Sequence, residues 1–443
     1  MRKQFAIAIA TFVVAATAPL AHAEDLSQLL FTVTDTVFIP GSPSGHSAHF
    51  LLSVSPENLL LVDGLNQAIA SQFATVPVGS SAGGFTSSID PATGVATRNS
   101  KTFGPQFAER ALTIGRHQWD FGVQYLYSSY NNLNGTNITN GDLTLQLVHE
   151  LEAGSTGRTD PNYFWEGDVL SNQLDYNLSL NTALFVGTFG VTNRFDVGLV
   201  LPFVKADLSI NNAKTTQPLG TIGTPAADFH TFPDGSYSGS ASVSGSASGV
   251  GDIVIRGKYN FLDPKKGSGV ALALDVRLPT GDEENFLGTG VTQTKLFVVG
   301  SWGLNHWSPH FNLGYTASFG SSSVVDDFPN EFDYVAGVEV ECHPRVTLVA
   351  DIIGRDAFDV YVPVEGTATF DASNPSINGG AVYSTTLPQL TAQQQDQNLL
   401  QGALGLKINP GGKWLISVGA LLPISNNGLT SSVSALVGFN YSF

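Results

Sequence analysis

Charged residues at every second position are the first candidates for chemistry in this sequence. In GDIVIRGKYNFL, Arg256 and Lys258 alternate with apolar residues, and in GVALALDVRLP, Asp275 and Arg277 do the same. Successive side chains of a β-strand point to opposite faces, so each run predicts one polar and one apolar face. The candidates for the polar faces are Arg256, Lys258, Asp275, Arg277, Lys295, Glu339, Glu341, Asp351 and Arg355. Such charges either orient a solute or pair into a network that braces the protein, since an unpaired buried charge is costly.

Three other motifs offer reactive or metal-binding groups. GSSAG matches G-x-S-x-G with Ser81 in the nucleophile position, but a nucleophile elbow requires a following helix, and a glycine-rich hairpin is predicted there. GDEEN clusters three carboxylates without the spacing of an EF-hand, which favours a solvated turn over a calcium site. His306, His310 and His343 do not follow a zinc-binding pattern. We therefore predict no catalytic residue, no metal and no cofactor.

The composition excludes several functional classes. The 443 residues include 20 Lys and Arg and 37 Asp and Glu, a formal net charge of −17, so nucleic acid is not an expected partner. Cys342 is the single cysteine of the sequence, which excludes an internal disulfide and a cysteine-based zinc site. Charged residues make up 13% of the chain, against roughly 25% in soluble domains, so something other than charge must cover much of the surface.

About twelve runs alternate in this way, and short connections such as GVTN and NPGG alternate with long ones. Long connections are expected at residues 131–171, 211–249, 280–289, 320–330 and 356–397. Outer-membrane barrels have short turns at one end and long loops at the other. The sequence therefore predicts an all-β fold, a transmembrane, antiparallel, up-and-down β-barrel of about twelve strands.

A barrel in lipid would explain the low content of charged residues, because its apolar side chains face the lipid and its polar faces line the lumen. About eleven residues per strand, at ~3.3 Å each and a tilt of ~40°, rise roughly 28 Å, enough for the ~25 Å apolar band of such a barrel. No run after residue 23 reaches 18 uninterrupted apolar residues, so we expect no membrane helix there.

The first quarter of the chain differs from the rest. Residues 1–23 have a basic start, an apolar core and an Ala-His-Ala end, as in a cleaved secretory signal peptide. Residues 24–114 are expected to contain a short amphipathic helix starting at Pro56 and a small hairpin around residues 90–94. This segment either enters the lumen as a plug or stays in the periplasm, and we favour the plug. The barrel is assigned to residues 115–443.

The C-terminus, SALVGFNYSF, alternates to the last residue, although chain ends normally fray into water. It resembles the terminal sorting strand of outer-membrane barrels, in which apolar residues two apart and a final aromatic are read by the assembly machinery. On that resemblance, Phe439, Tyr441 and Phe443 form the sorting signal. The strand is expected to pair with the first barrel strand near Trp119.

Several stretches resemble a family of Gram-negative outer-membrane proteins named for the meta pathway of phenol degradation, which belongs with the FadL-like channels for hydrophobic and aromatic compounds. They include FGPQFAERALTIG, GVTNRFDVGLVLPFV, GVGDIVIRGKYNF and LPTGDEENFLGTG, and the similarity extends from about Ser81 to Phe443. The resemblance implies a transport barrel.

Three functional hypotheses follow. The first is an outer-membrane channel for passive uptake of small hydrophobic or aromatic compounds, surrounded by lipid and lipopolysaccharide. The second is a filled barrel with a structural or surface-interaction role. The third is an outer-membrane hydrolase.

Overall fold

The structure is a computed structural model of the chain and describes residues 25–38, 48–73, 79–80, 84–89, 96–223, 230–262, 267–375 and 377–443. Three predicted features lie outside these ranges: the signal peptide over residues 1–23, Ser81 of GSSAG, and the hairpin turn at residues 90–94.

Short elements precede the barrel. The helices are α1 (Leu29–Thr34) and α2 (Pro56–Phe73), and two hairpins pair β1 (Thr36–Phe38) with β2 (Ala48–Phe50) and β3 (Ser87–Ile89) with β4 (Ala96–Arg98). The start of α2 at Pro56 confirms the predicted helix, since proline fits the first helical turn. Among the described residues, neither α1 nor α2 is long and apolar enough to cross a membrane.

Fifteen further strands are described. In chain order they are β5 (Trp119–Leu133), β6 (Thr136–Asn137), β7 (Leu143–Val148), β8 (Val169–Gly190), β9 (Phe195–Gln217), β10 (Ser238–Val250), β11 (Ile253–Asn260), β12 (Gly269–Leu278), β13 (Thr292–Ser301), β14 (Trp307–Phe319), β15 (Glu331–His343), β16 (Val346–Ser373), β17 (Val382–Ile408), β18 (Trp414–Pro423) and β19 (Leu429–Ser442).

Twelve of these strands, all but β6, β7 and β10, form one closed antiparallel barrel within the described part of the chain. Each strand pairs with its neighbours in chain order, and β19 pairs back with β5. At the seam, the backbone N–H of Trp119 donates to the carbonyl of Phe443, and that of Phe443 donates to Trp119, both at 2.9 Å. The predicted twelve-stranded barrel, closed near Trp119, is confirmed.

An apolar belt surrounds the barrel. On β5, the outward side chains from Trp119 to Tyr127 are each between 41% and 47% exposed, whereas the intervening residues are buried. This run rises roughly 20 Å at a tilt of ~40°, close to the height of a membrane-facing band. On β9, the outward run ends at Phe203, and an exposed Lys205–Asp207 ion pair of 2.9 Å follows. The belt therefore has a sharp polar edge toward the long connections.

The two ends of the barrel differ, as predicted. Short turns at residues 191–194, 344–345 and 409–413 join the strands at one end. At the other end, the strands themselves continue beyond the belt, and β16 and β17 reach 28 and 27 residues. The prediction of loops at residues 131–171, 211–249 and 356–397 was therefore wrong over much of each range.

The missed strands lack the pattern that revealed the others. Beyond the belt the outer face meets water, so no outward apolar residue marks the alternation. β10 shows the effect, because serines occupy its outward positions from Ser238 to Ser248 while small residues such as Gly245 face α1. Backbone pairing with β9 continues through all thirteen of its residues.

α2 lies across the end of the barrel that carries the long hairpins. Its side chains Val62, Leu65 and Ile69 are buried, as expected from their spacing. A Cβ atom on Gly64 would lie 2.3 Å from the carbonyl oxygen of Tyr361 on β16, so the close approach of the helix requires glycine.

α1 packs inside the extended wall formed by β9 and β10. Asn212 donates from Nδ2 to the carbonyl of Val33 at 3.0 Å. Lys214 donates from Nζ to Oγ1 of Thr36 at 2.7 Å and to the carbonyl of Thr34 at 3.3 Å. These strands thus hold the chain segment around residues 25–38 beyond the belt.

The docking of this segment should depend on pH. Burial lowers the pKa of Lys214 to about 8, below the ~10.4 of a free lysine. As the pH rises from about 8 to ~10.4, the docked lysine loses its proton before the undocked lysine does. Docking therefore becomes more favourable over this pH range. We expect residues 25–38 to resist proteinase K better at about pH 9.5 than at about pH 7.5, read by mass spectrometry. Lys214→Met should remove this difference, and Lys205→Met, at an exposed site, should keep it. An equal pH effect in Lys214→Met would contradict this account.

The seam gives a second prediction. Deleting Phe443 removes both terminal hydrogen bonds of the closing pair and the stacking of its ring on Phe121, whose centroid is 5.6 Å away. We expect the fraction that refolds into detergent as a heat-modifiable barrel to fall several-fold. Phe261→Ala is the matched control, since Phe261 is 53% exposed beyond the end of β11, away from the seam. Equal refolding of the two variants would argue against a special role for the terminal residue.

Candidate functional site

Residues 99–114 run through the lumen, where the inward side chains of the barrel contact them. This lumenal segment has no regular secondary structure, yet residues 102–114 are buried throughout. Its polar backbone groups therefore need partners from the wall.

Glu109 is the main contact of the lumenal segment with β11. Its Oε1 accepts from Nζ of Lys258 at 2.7 Å, and its Oε2 accepts from Nη1 of Arg256 at 2.5 Å. Arg256 also makes a two-pronged contact with Asp275, at 2.6 Å for each hydrogen bond. Because these groups are almost fully buried, each charge depends on the others for stabilisation.

Arg110 contacts a different part of the wall. Its Nη2 lies 3.0 Å from Oε2 of Glu339 on β15, and both side chains are fully buried. The same nitrogen donates to Oγ of Ser100 and Oγ1 of Thr102 at 2.6 Å each. Two adjacent residues of opposite charge thus fasten the lumenal segment to two separate strands.

Wall side chains also bind the backbone of this segment. Asp351 accepts through Oδ2 from the N–H groups of Gln106 and Phe107 at 3.3 Å each. Lys407 donates from Nζ to the carbonyl of Pro105 at 2.6 Å. These bonds take the place of the backbone hydrogen bonds that a helix or a strand would supply.

Further bonds of this kind come from other strands. Glu339 accepts from the N–H of Gly104 at 2.9 Å. Lys258 donates to the carbonyls of Arg110 and Leu112 at 2.9 and 3.0 Å. Asn312 pairs with both backbone groups of Glu109, at 2.7 and 2.9 Å.

His310, one of the three histidines examined for a zinc-binding pattern, belongs to the same network. Its Nε2 is 2.8 Å from Oδ1 of Asp351, and its Nδ1 is 3.7 Å from Oε1 of Glu339. Its partners are therefore carboxylates that hold the lumenal segment.

Above this network, toward α2, the lumen opens into a cavity of about 130 Å³. Its charged lining includes Arg277, Lys295, Glu331, Asp333 and Arg355. Lys295 pairs with Asp333 at 3.1 Å, and Nε of Arg355 is 3.7 Å from Oε2 of Glu331. We call this space the charged cavity.

Two smaller cavities adjoin the charged cavity. One, of about 20 Å³, lies beneath α2 and shares Arg355 with it. The other, of about 50 Å³, reaches Glu109 and Asn312 and shares Phe107 and Lys295 with it. The three cavities thus lie in a row from α2 to the lumenal segment.

The nine candidate residues fall into three groups. Five contact the lumenal segment or its network: Arg256, Lys258, Asp275, Glu339 and Asp351. Three line the charged cavity: Arg277, Lys295 and Arg355. Glu341 lies apart at the rim, where its Oε2 is 2.9 Å from Nδ1 of His306 in a short turn.

Sequence reasoning missed several residues of this region. Glu331, Asp333 and Lys407 share the alternation that revealed the nine candidates and could have been found in the same way. Glu109 and Arg110 carry a weaker signal, adjacent opposite charges within the otherwise uncharged stretch FGPQFAERALTIG.

The remaining motifs have other contacts. In GDEEN, Oδ1 of Asn285 accepts from the N–H of Leu26 at 3.2 Å, and the carbonyl of Glu284 accepts from Ser27 at 3.1 Å. This acidic loop thus contacts the N-terminal segment. Within the ranges that the structure describes, no three His, Cys, Asp or Glu side chains are placed to hold a metal ion.

Comparison with solved structures gives distant likenesses. An outer membrane channel from Pseudomonas putida F1 has 12% identity and a TM-score of 0.40, with 75% of this chain and 98% of that chain covered. A FadL homologue from Pseudomonas aeruginosa has 9% identity and a TM-score of 0.32, with 74% and 90% covered. The toluene transporter TbuX from Ralstonia pickettii has 11% identity and a TM-score of 0.29, with 74% and 90% covered. These values are too low to assign an activity.

Among curated protein sequences, none is significantly similar to this chain. A family model matches residues 153–427, which is more than half of the sequence. The match includes every strand of the charged cavity, from β11 to β16. The chain belongs to this family, which is described as "Putative MetA-pathway of phenol degradation".

Proposed function

We propose that the chain is an outer-membrane channel for passive uptake of small hydrophobic or aromatic compounds. The observation that carries this proposal is the row of neighbouring cavities inside a closed barrel, from α2 to Glu109. No chemical step is required, because a solute gradient supplies the driving force. The family description, which refers to phenol degradation, supports an aromatic solute.

The position in the membrane follows from the belt. Lipid would cover the apolar outer side chains, with lipopolysaccharide beside the polar extensions of β8, β9 and β10. The short turns would then face the periplasm and the long hairpins the cell exterior. Export through a cleaved signal peptide, and recognition of Phe439, Tyr441 and Phe443 by the barrel-assembly machinery, belong to the same proposal.

In this proposal, residues 24–114 act as a plug. α2 would lie over the outer mouth, and the buried lumenal segment would fill the barrel toward the periplasm. A solute can therefore pass only if part of the segment moves from the wall. Glu109 is the favoured clasp, because it joins the segment to two buried cations.

A second candidate, the filled barrel without transport, is favoured by one observation. Ala108, Arg110, Ala111 and Thr113 are completely buried, so the lumenal segment leaves little space around itself. Measured transport decides between the two candidates.

The first test measures uptake. Cells of a Gram-negative host that produce the chain should accumulate radiolabelled toluene or radiolabelled benzoate, tested separately, at least several-fold faster than cells with an empty vector. A variant lacking residues 24–114 should be at least as fast, because the plug is gone. The matched control is a barrel of similar abundance with an unrelated function. Uptake no faster than in that control, with and without residues 24–114, would exclude the transport proposal.

The second test concerns the clasp. Glu109→Gln leaves Lys258 and Arg256 without their shared carboxylate, and breaking a buried ion pair typically costs ~3–5 kcal/mol. We expect more frequent open events and a higher mean conductance in planar bilayers. Glu365→Gln is the control, since Glu365 is exposed on the distal part of β16 and accepts from Thr136. Identical conductance of wild type and both variants would show that Glu109 does not hold the plug.

A further inference from the structure

The charged cavity has a regular electrostatic pattern. At one level of the wall, the inward residues on successive strands are Arg256, Asp275 and Lys295, which are directly paired in register. Further round, Asp333 pairs in register with Arg355. Charges of opposite sign therefore alternate from β11 to β13 and again between β15 and β16, with the uncharged Gly314 and Thr316 of β14 between them.

The two signs do not balance within the cavity. Arg256 is turned toward Asp275 and Glu109, and these three side chains form an ion-pair cluster below the cavity. The other charged lining residues are the cations Arg277, Lys295 and Arg355 and the anions Glu331 and Asp333. The lining thus has one more cation than anion, in a place shielded from water by the barrel and α2.

The uncharged lining includes an apolar part beside the polar side chains of Gln293 and Thr316. Phe107 enters from the lumenal segment, and Val254, Val335 and Ile353 come from the wall. At about 130 Å³ the cavity is close to the ~150 Å³ of a protein cavity known to hold benzene. A single aromatic ring therefore fits the size and the apolar side, with Phe107 available for stacking or edge contact.

We propose that the charged cavity is a binding site for a monocyclic aromatic carboxylate. The ring would lie against Phe107 and Ile353, and the carboxylate would face Arg277 and Arg355, whose planar guanidinium groups match a carboxylate in two-pronged geometry. This inference rests on the proposed function and narrows its solute class.

Other aromatic molecules fit less well. A neutral hydrocarbon would lie beside five charged groups and offer them no hydrogen bond. An aromatic amine would add a positive charge to a lining that already has a cationic excess. An aromatic acid satisfies both the polar and the apolar part of the lining.

The test compares three ligands of equal ring size. Purified full-length protein in detergent is titrated with benzoate, benzyl alcohol and benzylamine by calorimetry at about pH 7.5, where a carboxyl with a pKa of ~4 is ionised. We expect benzoate to bind at least tenfold more tightly than the other two. Benzyl alcohol within twofold of benzoate, or tighter binding of benzylamine, would overturn the proposal.

Substitutions then locate the site. Arg277→Gln should remove most of the tenfold preference for benzoate, and Arg277→Lys should retain part of it. Arg345→Gln, at an exposed short turn outside the lumen, should behave as wild type. Heat-modifiable mobility shows which variants are folded. An equal loss of preference in Arg345→Gln would place the benzoate site elsewhere and overturn the proposal.

Transport and selectivity can fail separately. Uptake of toluene by producing cells, without any preference for benzoate in calorimetry, would leave the channel standing and refute the carboxylate site. Specific benzoate binding without uptake of any aromatic compound would keep the site and refute the channel.

Discussion

Every backbone N–H and C=O of a sheet surrounded by lipid must be paired within the protein, and the rest of this structure depends on that constraint. A sheet meets it only when it closes, which here happens between Trp119 and Phe443. Closure gives each strand one lipid face and one lumen face. Apolar side chains must occupy the first, so nearly all charge of the membrane region is directed inward.

Inward charge creates a second requirement. Arg256 and Lys258 cannot remain unpaired in a space with little water, because the cost of desolvation is large. The barrel strands supply some of the counter-charge, as with Asp275, but Glu109 comes from outside the barrel strands. The lumenal segment is therefore part of the electrostatic balance of the barrel. Its own backbone is bound in turn by Asp351, Glu339 and Lys407, so wall and segment stabilise one another.

The same constraint explains which features the sequence could predict. Where lipid lies outside and charge inside, as on β11 and β12, the alternation of the sequence is plain, and the burial of the two strands follows it. On β10 the outer face meets water, so the sequence predicts a loop where the structure has a strand. Glu109 lies in a segment without periodicity, and its partners are about 150 residues away on β11, so no local pattern could indicate this contact.

The lumen has two parts that differ in what their charges can do. Below, Glu109, Arg110, Glu339 and Asp351 each bind a group of the lumenal segment or of the wall beside it, so a solute would have to displace protein contacts. Above, Lys295 pairs with Asp333 and Arg355 with Glu331 across the wall, and these groups border an open volume. Arg355 also donates from Nη1 to the carbonyl of Ser71 on α2 at 3.4 Å. Because a ligand there can share these charges without unfastening the segment, the upper part suits selection and the lower part suits control of passage. The two parts meet at Phe107. Its side chain lines both the charged cavity and the neighbouring cavity of about 50 Å³, and its backbone N–H donates to Asp351.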